Sequence, residues 1–319
     1  MEVLGIDIGK TRFDACLMGQ NLKQSISLAN NEVGFAQLAA WLVKQRPNIA
    51  APLHACMEAT GNYGLDLAAF LFAEGVTVSI VNPRKIKAFG EAELARNKTD
   101  QLDCALIARF CIAQNPQPWT PPAQHIRNLR ELVRRCAALK AQRTQELNRQ
   151  KSGFACEAVR ASLLRQLTHL NAEIDIMTAE IRALLAADSQ LQRNFDLLNT
   201  IPGIGEVSAT LLLAEIPNIT DFTPKALAAF AGLSPAEHSS GARQRGTGIS
   251  RIGNAAIRSM LYLGALSASR HNPHLTDFVA RMKDAKKPKK VILVAVARKL
   301  LVLAQAVLRT QTGFHAHAA

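Results

Sequence analysis

Four carboxylates stand where chemistry on a phosphate ester would want them. Asp7 closes the first short apolar run, Glu58 follows a later one, and Asp100 and Asp103 fall at the start of a helical pattern. Acidic side chains of this kind hold one or two divalent cations beside a scissile phosphate, where the ion activates the nucleophile and stabilises the leaving oxygen. Residues three apart share a helix face, so Asp100 and Asp103 are expected to point together toward a strand-borne Asp7. Four carboxylates gathered without a Lys or Arg among them repel one another, so the site is expected to depend on magnesium, with manganese as a substitute. Each acid also has a plain reading. Thr99 or Asp100 serves as a helix N-cap, Asp103 favours the positive end of the helix, and Glu58 is a solvated loop residue.

A second set of residues suits a polyanion. Arg243, Arg245 and Arg251 lie in the polar loop HSSGARQRGTGISRIGN, and Lys286, Lys287, Lys289 and Lys290 lie in RMKDAKKPKK. Such side chains are ordinary surface charges in most proteins, but their concentration favours phosphate contact, and Lys98 could act in the same way. Pro202-Gly203-Ile204-Gly205 sits between two helical patterns, as the turn of a helix–hairpin–helix does. There Gly203 and Gly205 would offer backbone N–H groups to a phosphate without reading sequence. A Gly-rich turn between packed helices is the alternative.

The elements that must carry these residues are legible in outline. Val3–Asp7 and Arg12–Met18 read as a hairpin across Gly9-Lys10, with Gln24–Leu28 as a third strand. A helix from Asn30 or Asn31 keeps Phe35, Leu38, Ala39 and Leu42 on one face. Leu53–Met57 is a strand, Tyr63–Glu74 a helix, and Val76–Val81 a β-branched strand ended by Pro83. Strands alternating with helices after an opening hairpin predict a mixed α/β layer. Pro116, Pro118, Pro121 and Pro122 mark a boundary. Beyond it Leu163, Leu167, Leu170, Ile174, Met177, Ile181 and Leu184 follow the four-three spacing of a coiled coil, which predicts either an antiparallel hairpin turning near Ser152-Gly153 or a dimerising arm.

Charge divides the chain at the same place. The totals are 38 Lys plus Arg against 25 Asp plus Glu, a net +13; residues 1–124 hold 11 of each sign, which leaves 27 against 14 for residues 125–319. A neutral front and a basic back predict a chemical domain followed by one that faces nucleic acid. The six Cys form no CxxC pair and read as buried thiols of a reducing compartment. The apolar stretch from Val291 is interrupted by Arg298 and Lys299, so it reads as a helix buried on one side. The expectation is a cytoplasmic, nucleoid-associated protein with no membrane span.

The segments GIDIGKTRFDACL, CMEATGNYG and NPRKIKAFGEAELARNKTDQLDCALIARF, in that order, resemble the amino-terminal domain of the DEDD-type transposases of insertion-sequence family 110, relatives of the pilin-gene-inverting recombinases. TIPGIGEVSATLLLAEI and FAGLSPAEHSSGARQRGTGISRIGNAAIRSMLYLGA resemble that family's second domain, so the likeness runs from residue 3 to about residue 300. It implies an α/β ribonuclease-H-like, Holliday-junction-resolvase-like domain over residues 1–122, with Asp7, Glu58, Asp100 and Asp103 as a magnesium-binding tetrad. It implies a helical coiled-coil arm over 123–190 that links protomers into a dimer or tetramer, and a mostly helical DNA-binding domain over 191–319. It further implies a serine nucleophile forming a covalent phosphoserine with DNA, placed at Ser240 by the Ser-Gly that follows Gly-Leu-x-Pro, with Ser239 as its neighbour. Donor and target DNA would be partners, along with a structured guide RNA.

Three other readings use the same residues. GIDIGKTRFDACL also resembles the first phosphate loop of sugar-kinase and actin-like ATPases, although no second loop of the DxGG kind follows. A metal-dependent junction resolvase would keep the acidic site and cut with water. A non-enzymatic scaffold would bind nucleic acid without magnesium.

Overall fold

The computed structural model describes residues 2–19, 22–46, 51–59, 61, 63–93, 100–236, 239–240, 243–244, 248–250 and 252–315. The chain divides into two compact units, residues 1–121 and 122–319.

The first unit is built on five strands: β1 (Glu2–Ile8), β2 (Arg12–Met18), β3 (Lys23–Ala29), β4 (Leu53–Glu58) and β5 (Thr77–Val81), in the order β3-β2-β1-β4-β5. β1, β2 and β3 pair antiparallel, while β1, β4 and β5 run parallel. This mixed order is that of the ribonuclease-H-like fold. Both faces of β1 are covered, which is why it reads as a nearly continuous apolar run. On one face Leu4, Ile6, Phe13, Leu17 and Met57 pack beneath α1 (Glu32–Gln45) and α2 (Leu65–Ala73). The opposite face carries Val3, Cys16, Cys56 and Val81 against α3 (Pro83–Ala92) and α4 (Asp100–Gln114).

Local chemistry sets the helix starts. Asn31 caps α1 by accepting from the Gly34 N–H. The sequence reading stopped β5 at Pro83 and passed over α3. In the structure Pro83 is also the first residue of that helix and Asn82 caps it, accepting from Arg84 at 2.9 Å. Proline suits this position because its missing N–H has no partner to lose there.

Among the described residues the second unit is helical apart from two short ladders. Its first helices, α5 (Gln124–Ser152) and α6 (Glu157–Ala187), lie antiparallel: Arg143 donates to Asn171 at 3.3 Å, and Cys136 meets Thr178 at 3.9 Å. Gly153, at φ 76°, ends α5 and lets the chain turn back. The heptad stripe is thus used within one chain, where Leu170, Ile174, Met177 and Ile181 pack on Cys136 and Leu139.

α7 (Ser189–Asn199), α8 (Glu206–Glu215), α9 (Pro224–Phe230), α10 (Ala255–His271), α11 (Pro273–Asp284) and α12 (Lys289–Thr310) complete the unit. α12 is long and apolar enough to cross a membrane, yet more than half of its most apolar window is buried, and Val296, Ala297, Leu300, Leu301 and Ala304 are wholly enclosed. Glu215, nearly buried at the end of α8, accepts from Arg134 of α5 at 2.7 and 3.0 Å and from Asn254 at 3.0 Å. That network ties the helical hairpin to the rest of the unit.

Candidate active site

Asp7 and Glu58 are brought together by strand register. β1 and β4 pair in parallel with Ile6 opposite Met57, so Asp7 and Glu58 occupy the next row and share a face with Gly5 and Cys56. Side chains in one row of neighbouring strands stand about 5 Å apart at their β-carbons, within reach of a common ion. β4 ends at Glu58, and Ala59 continues the pairing by donating to Val81 at 2.9 Å, so this acid sits on a rigid strand end.

α4 crosses the same face. A β-carbon on Gly5 would fall on the carbonyl of Cys104 and the backbone of Ala108, so only glycine admits the helix at this depth. Asp103 precedes Cys104 directly, so it lies on α4 one residue before this contact. Two buried thiol pairs, Cys16 with Cys104 and Cys56 with Cys111, flank Gly5 and bind α4 to the strands. The hydrogen bond to its partner, and then burial, hold the Cys56 and Cys104 thiols well above the usual thiol range. Asp100 is the first residue of α4, and its side chain lies outside the described residues, as does Lys98 altogether.

Hard oxygen donors on adjacent strands fit magnesium, which is commonly held by one or two carboxylates together with water and substrate phosphate. Among the described residues no group of three or more His, Cys, Asp or Glu side chains is placed to hold a metal ion, so the described part of the site is a carboxylate pair.

The same face carries two residues that sequence reasoning passed over. Asp14 is the cross-strand partner of Asp7 and is almost buried, and Arg12 Nη2 donates to its carboxylate at 3.3 and 3.4 Å. The signal was only partly present: the observed register is centred on Lys10-Thr11 and pairs residue 7 with residue 14, one residue beyond a turn centred on Gly9-Lys10.

In the second unit the candidate residues are dispersed. Gly203 has φ 104°, and a β-carbon there would stand 2.6 Å from Ala268 Cβ, so close packing on α10 accounts for this glycine. Gly205 precedes α8, whose first residue Glu206 pairs with Arg182 at 3.1 Å. An acid at that helix start opposes a phosphate there. Lys286, Lys287, Lys289 and Lys290 are all exposed at the turn between α11 and α12. Ser239 and Ser240 form a two-residue ladder with Arg243 and Gln244, their side chains lying outside the described residues, while Arg245 and Arg251 lie outside them entirely.

The expected serine nucleophile is corrected by this arrangement. The acidic residues occupy a ribonuclease-H-like sheet in the first unit, a setting in which metal-held water serves as nucleophile. The covalent phosphoserine is not carried forward, and the fold accords better with the metal-dependent, water-using alternative.

A family model described as Transposase (DEDD_Tnp_IS110) matches residues 4–153, and one described as Transposase IS116/IS110/IS902 family matches residues 195–280. The chain is 34% identical over 316 residues to the pilin gene-inverting protein of Moraxella bovis, covering 98% of this chain and 97% of that one. It is 24% identical over 309 residues to the transposase for insertion sequence element IS1111A of Coxiella burnetii, covering 87% and 80%. Among solved structures, RuvC of T. thermophilus in complex with a Holliday junction substrate aligns with 37% of this chain and 99% of its own, at 15% identity and a TM-score of 0.29.

Proposed function

Because this chain belongs to the IS110 family of transposases and pilin-gene-inverting recombinases, we propose that it cuts DNA in a metal-dependent, resolvase-like reaction with water as the nucleophile. The observation that carries this reading is the placement of Asp7 and Glu58 in one row of neighbouring parallel strands. The ATPase and the non-enzymatic scaffold account less well for matches to transposase families at both ends of the chain.

Asp7 and Glu58 would hold the ion, with Asp103 and Asp100 approaching from α4. Bound there, a divalent cation would supply Lewis acidity to the phosphate and lower the pKa of a water molecule. The chain's own part is geometric. The strand ends fix the two acids, and Gly5 sets the depth at which α4 delivers the others. The lysines near residues 286–290, with Arg243, Arg245, Arg251 and Lys98, would neutralise neighbouring phosphates. A structured guide RNA, donor and target DNA as joint partners, assembly through the α5–α6 coiled coil, and residence in the cytoplasm at the nucleoid complete the reading.

The test is cleavage of supercoiled and branched DNA by the purified protein, with guide RNA supplied in parallel. Cleavage that requires magnesium or manganese, stops with chelator and leaves no protein bound to DNA after denaturation supports the reading. Undiminished cleavage in chelator would overturn it.

A further inference from the structure

The carboxylate face has a problem that its acids cannot solve. Asp7, Glu58, Asp103 and Asp14 all lie on or over one side of the sheet, while the substrate is a polyanion. Like charges directly opposite on paired strands are destabilising, and Asp7 and Asp14 are such a pair. Asp14 nevertheless keeps only 9% of its side chain exposed, against 60% for its partner Arg12.

The geometry of the hairpin explains what this arrangement offers. Successive rows on this face are Gly5 with Cys16, Asp7 with Asp14, and then Gly9 with Arg12, so Arg12 stands one row nearer the loop end of the sheet than Asp7. Its backbone is fixed. The Gly9 N–H donates to the Arg12 carbonyl at 2.9 Å, and Asn30 donates from its backbone to Thr11 at 3.0 Å. The Asn30 side-chain amide then bonds the carbonyls of Gly9, at 3.0 Å, and Tyr63, at 2.9 Å. Arg12 pairs with Asp14 through Nη2, and most of the Arg12 side chain remains exposed.

We propose that Arg12, oriented by Asp14, is a phosphate-binding residue for the DNA strand that enters the Asp7–Glu58 site. This rests on the cleavage reading above and adds a substrate contact to it. An arginine anchored on one edge presents its remaining donors in a fixed fork that matches phosphate oxygens, so little side-chain freedom is lost when DNA arrives. A surface pair with no such role contributes little to stability. Asp14 is a positioning residue here, since it acts through Arg12.

The experiment compares the full-length protein with Arg12→Ala, Arg12→Lys, Asp14→Asn and the double variant. It measures DNA affinity against salt, kcat and KM for cleavage, Mn2+ binding by electron paramagnetic resonance, and melting temperature. Arg12→Ala should weaken DNA binding about tenfold and reduce the slope of log affinity against log salt by about 0.9, with Mn2+ binding and melting unchanged. Arg12→Lys should restore the slope and only part of the affinity. Asp14→Asn should reproduce part of the loss alone and add nothing to Arg12→Ala, as expected of residues acting in series. An unchanged affinity and slope in Arg12→Ala would overturn the proposal. So would an Asp14→Asn effect of equal size in both backgrounds, because Asp14 would then act on the carboxylates directly. Binding needs no turnover, so failure of the unaltered protein to cut would count against the cleavage reading and still leave Arg12 to be judged by the slope.

Discussion

The carbonyl oxygen of Cys104 occupies the place where a β-carbon on Gly5 would stand. The sheet and the helix that bears Asp100 and Asp103 therefore meet at a point that tolerates no added atom. Gly5→Ala should force α4 outward, since a backbone carbonyl cannot rotate aside as a side chain can. The expected cost is about 1–3 kcal/mol of stability, together with a loss of cleavage larger than that destabilisation explains. Urea unfolding and single-turnover cleavage would measure the two. A fully active, equally stable variant would show that α4 has no fixed seat.

Asp7→Asn and Glu58→Gln keep the shape of each side chain and remove its charge. Each should lower cleavage by about a hundredfold or more and weaken Mn2+ binding, with DNA affinity retained or raised. Both acids are only partly buried, so melting should change little. Retained cleavage in both variants would remove these residues from the site.

His54 supplies a pH dependence. It is 2% exposed on β4 and meets Ser79 Oγ at 2.8 Å, and Ser79 lies 3.0 and 2.9 Å from the carbonyls of Pro116 and Gln117 in the segment that leaves α4. Burial lowers its pKa below the ordinary 6.5, because a charged ring would be cut off from water. The folded state thus favours the neutral ring. Stability from this group is complete above about pH 6.5 and falls as the pH drops below that value, where the unfolded chain takes up the proton first. The urea midpoint should decline between pH 7 and pH 5, and His54→Gln should flatten that decline. An identical decline in the variant would assign it to other groups.

The lysines at 286, 287, 289 and 290 surround the start of α12, where the helix dipole disfavours positive charge. Replacing all four with Gln should leave melting unchanged or slightly raised and weaken DNA binding. The salt slope should fall by up to about 3.6 if every lysine meets a phosphate. No change in slope would make them solvated surface charge.

The order of the five strands in the chain, the helices other than α3, the opening hairpin, the strand-end positions of Asp7 and Glu58 and the helix that carries Asp100 and Asp103 could be read from the residues. Each rests on information carried within one element: the period of its apolar positions, its caps and its turn residues. Membership of the transposase family was legible for a related reason, since its motifs are short and contiguous. The structure alone decided that β4 lies beside β1, that α4 descends to Gly5, that Gly203 is spent on packing against α10, and that the heptad stripe of α6 folds onto α5 of the same chain. It also placed Asp7 and Glu58 in one row of a ribonuclease-H-like sheet, a fold at odds with the serine nucleophile that a motif had pointed to at Ser240. These facts join segments far apart in sequence, and no local pattern records which distant surface a face will meet. That choice comes from strand register and from the depth at which two backbones can approach, and both are settled only when the whole core packs.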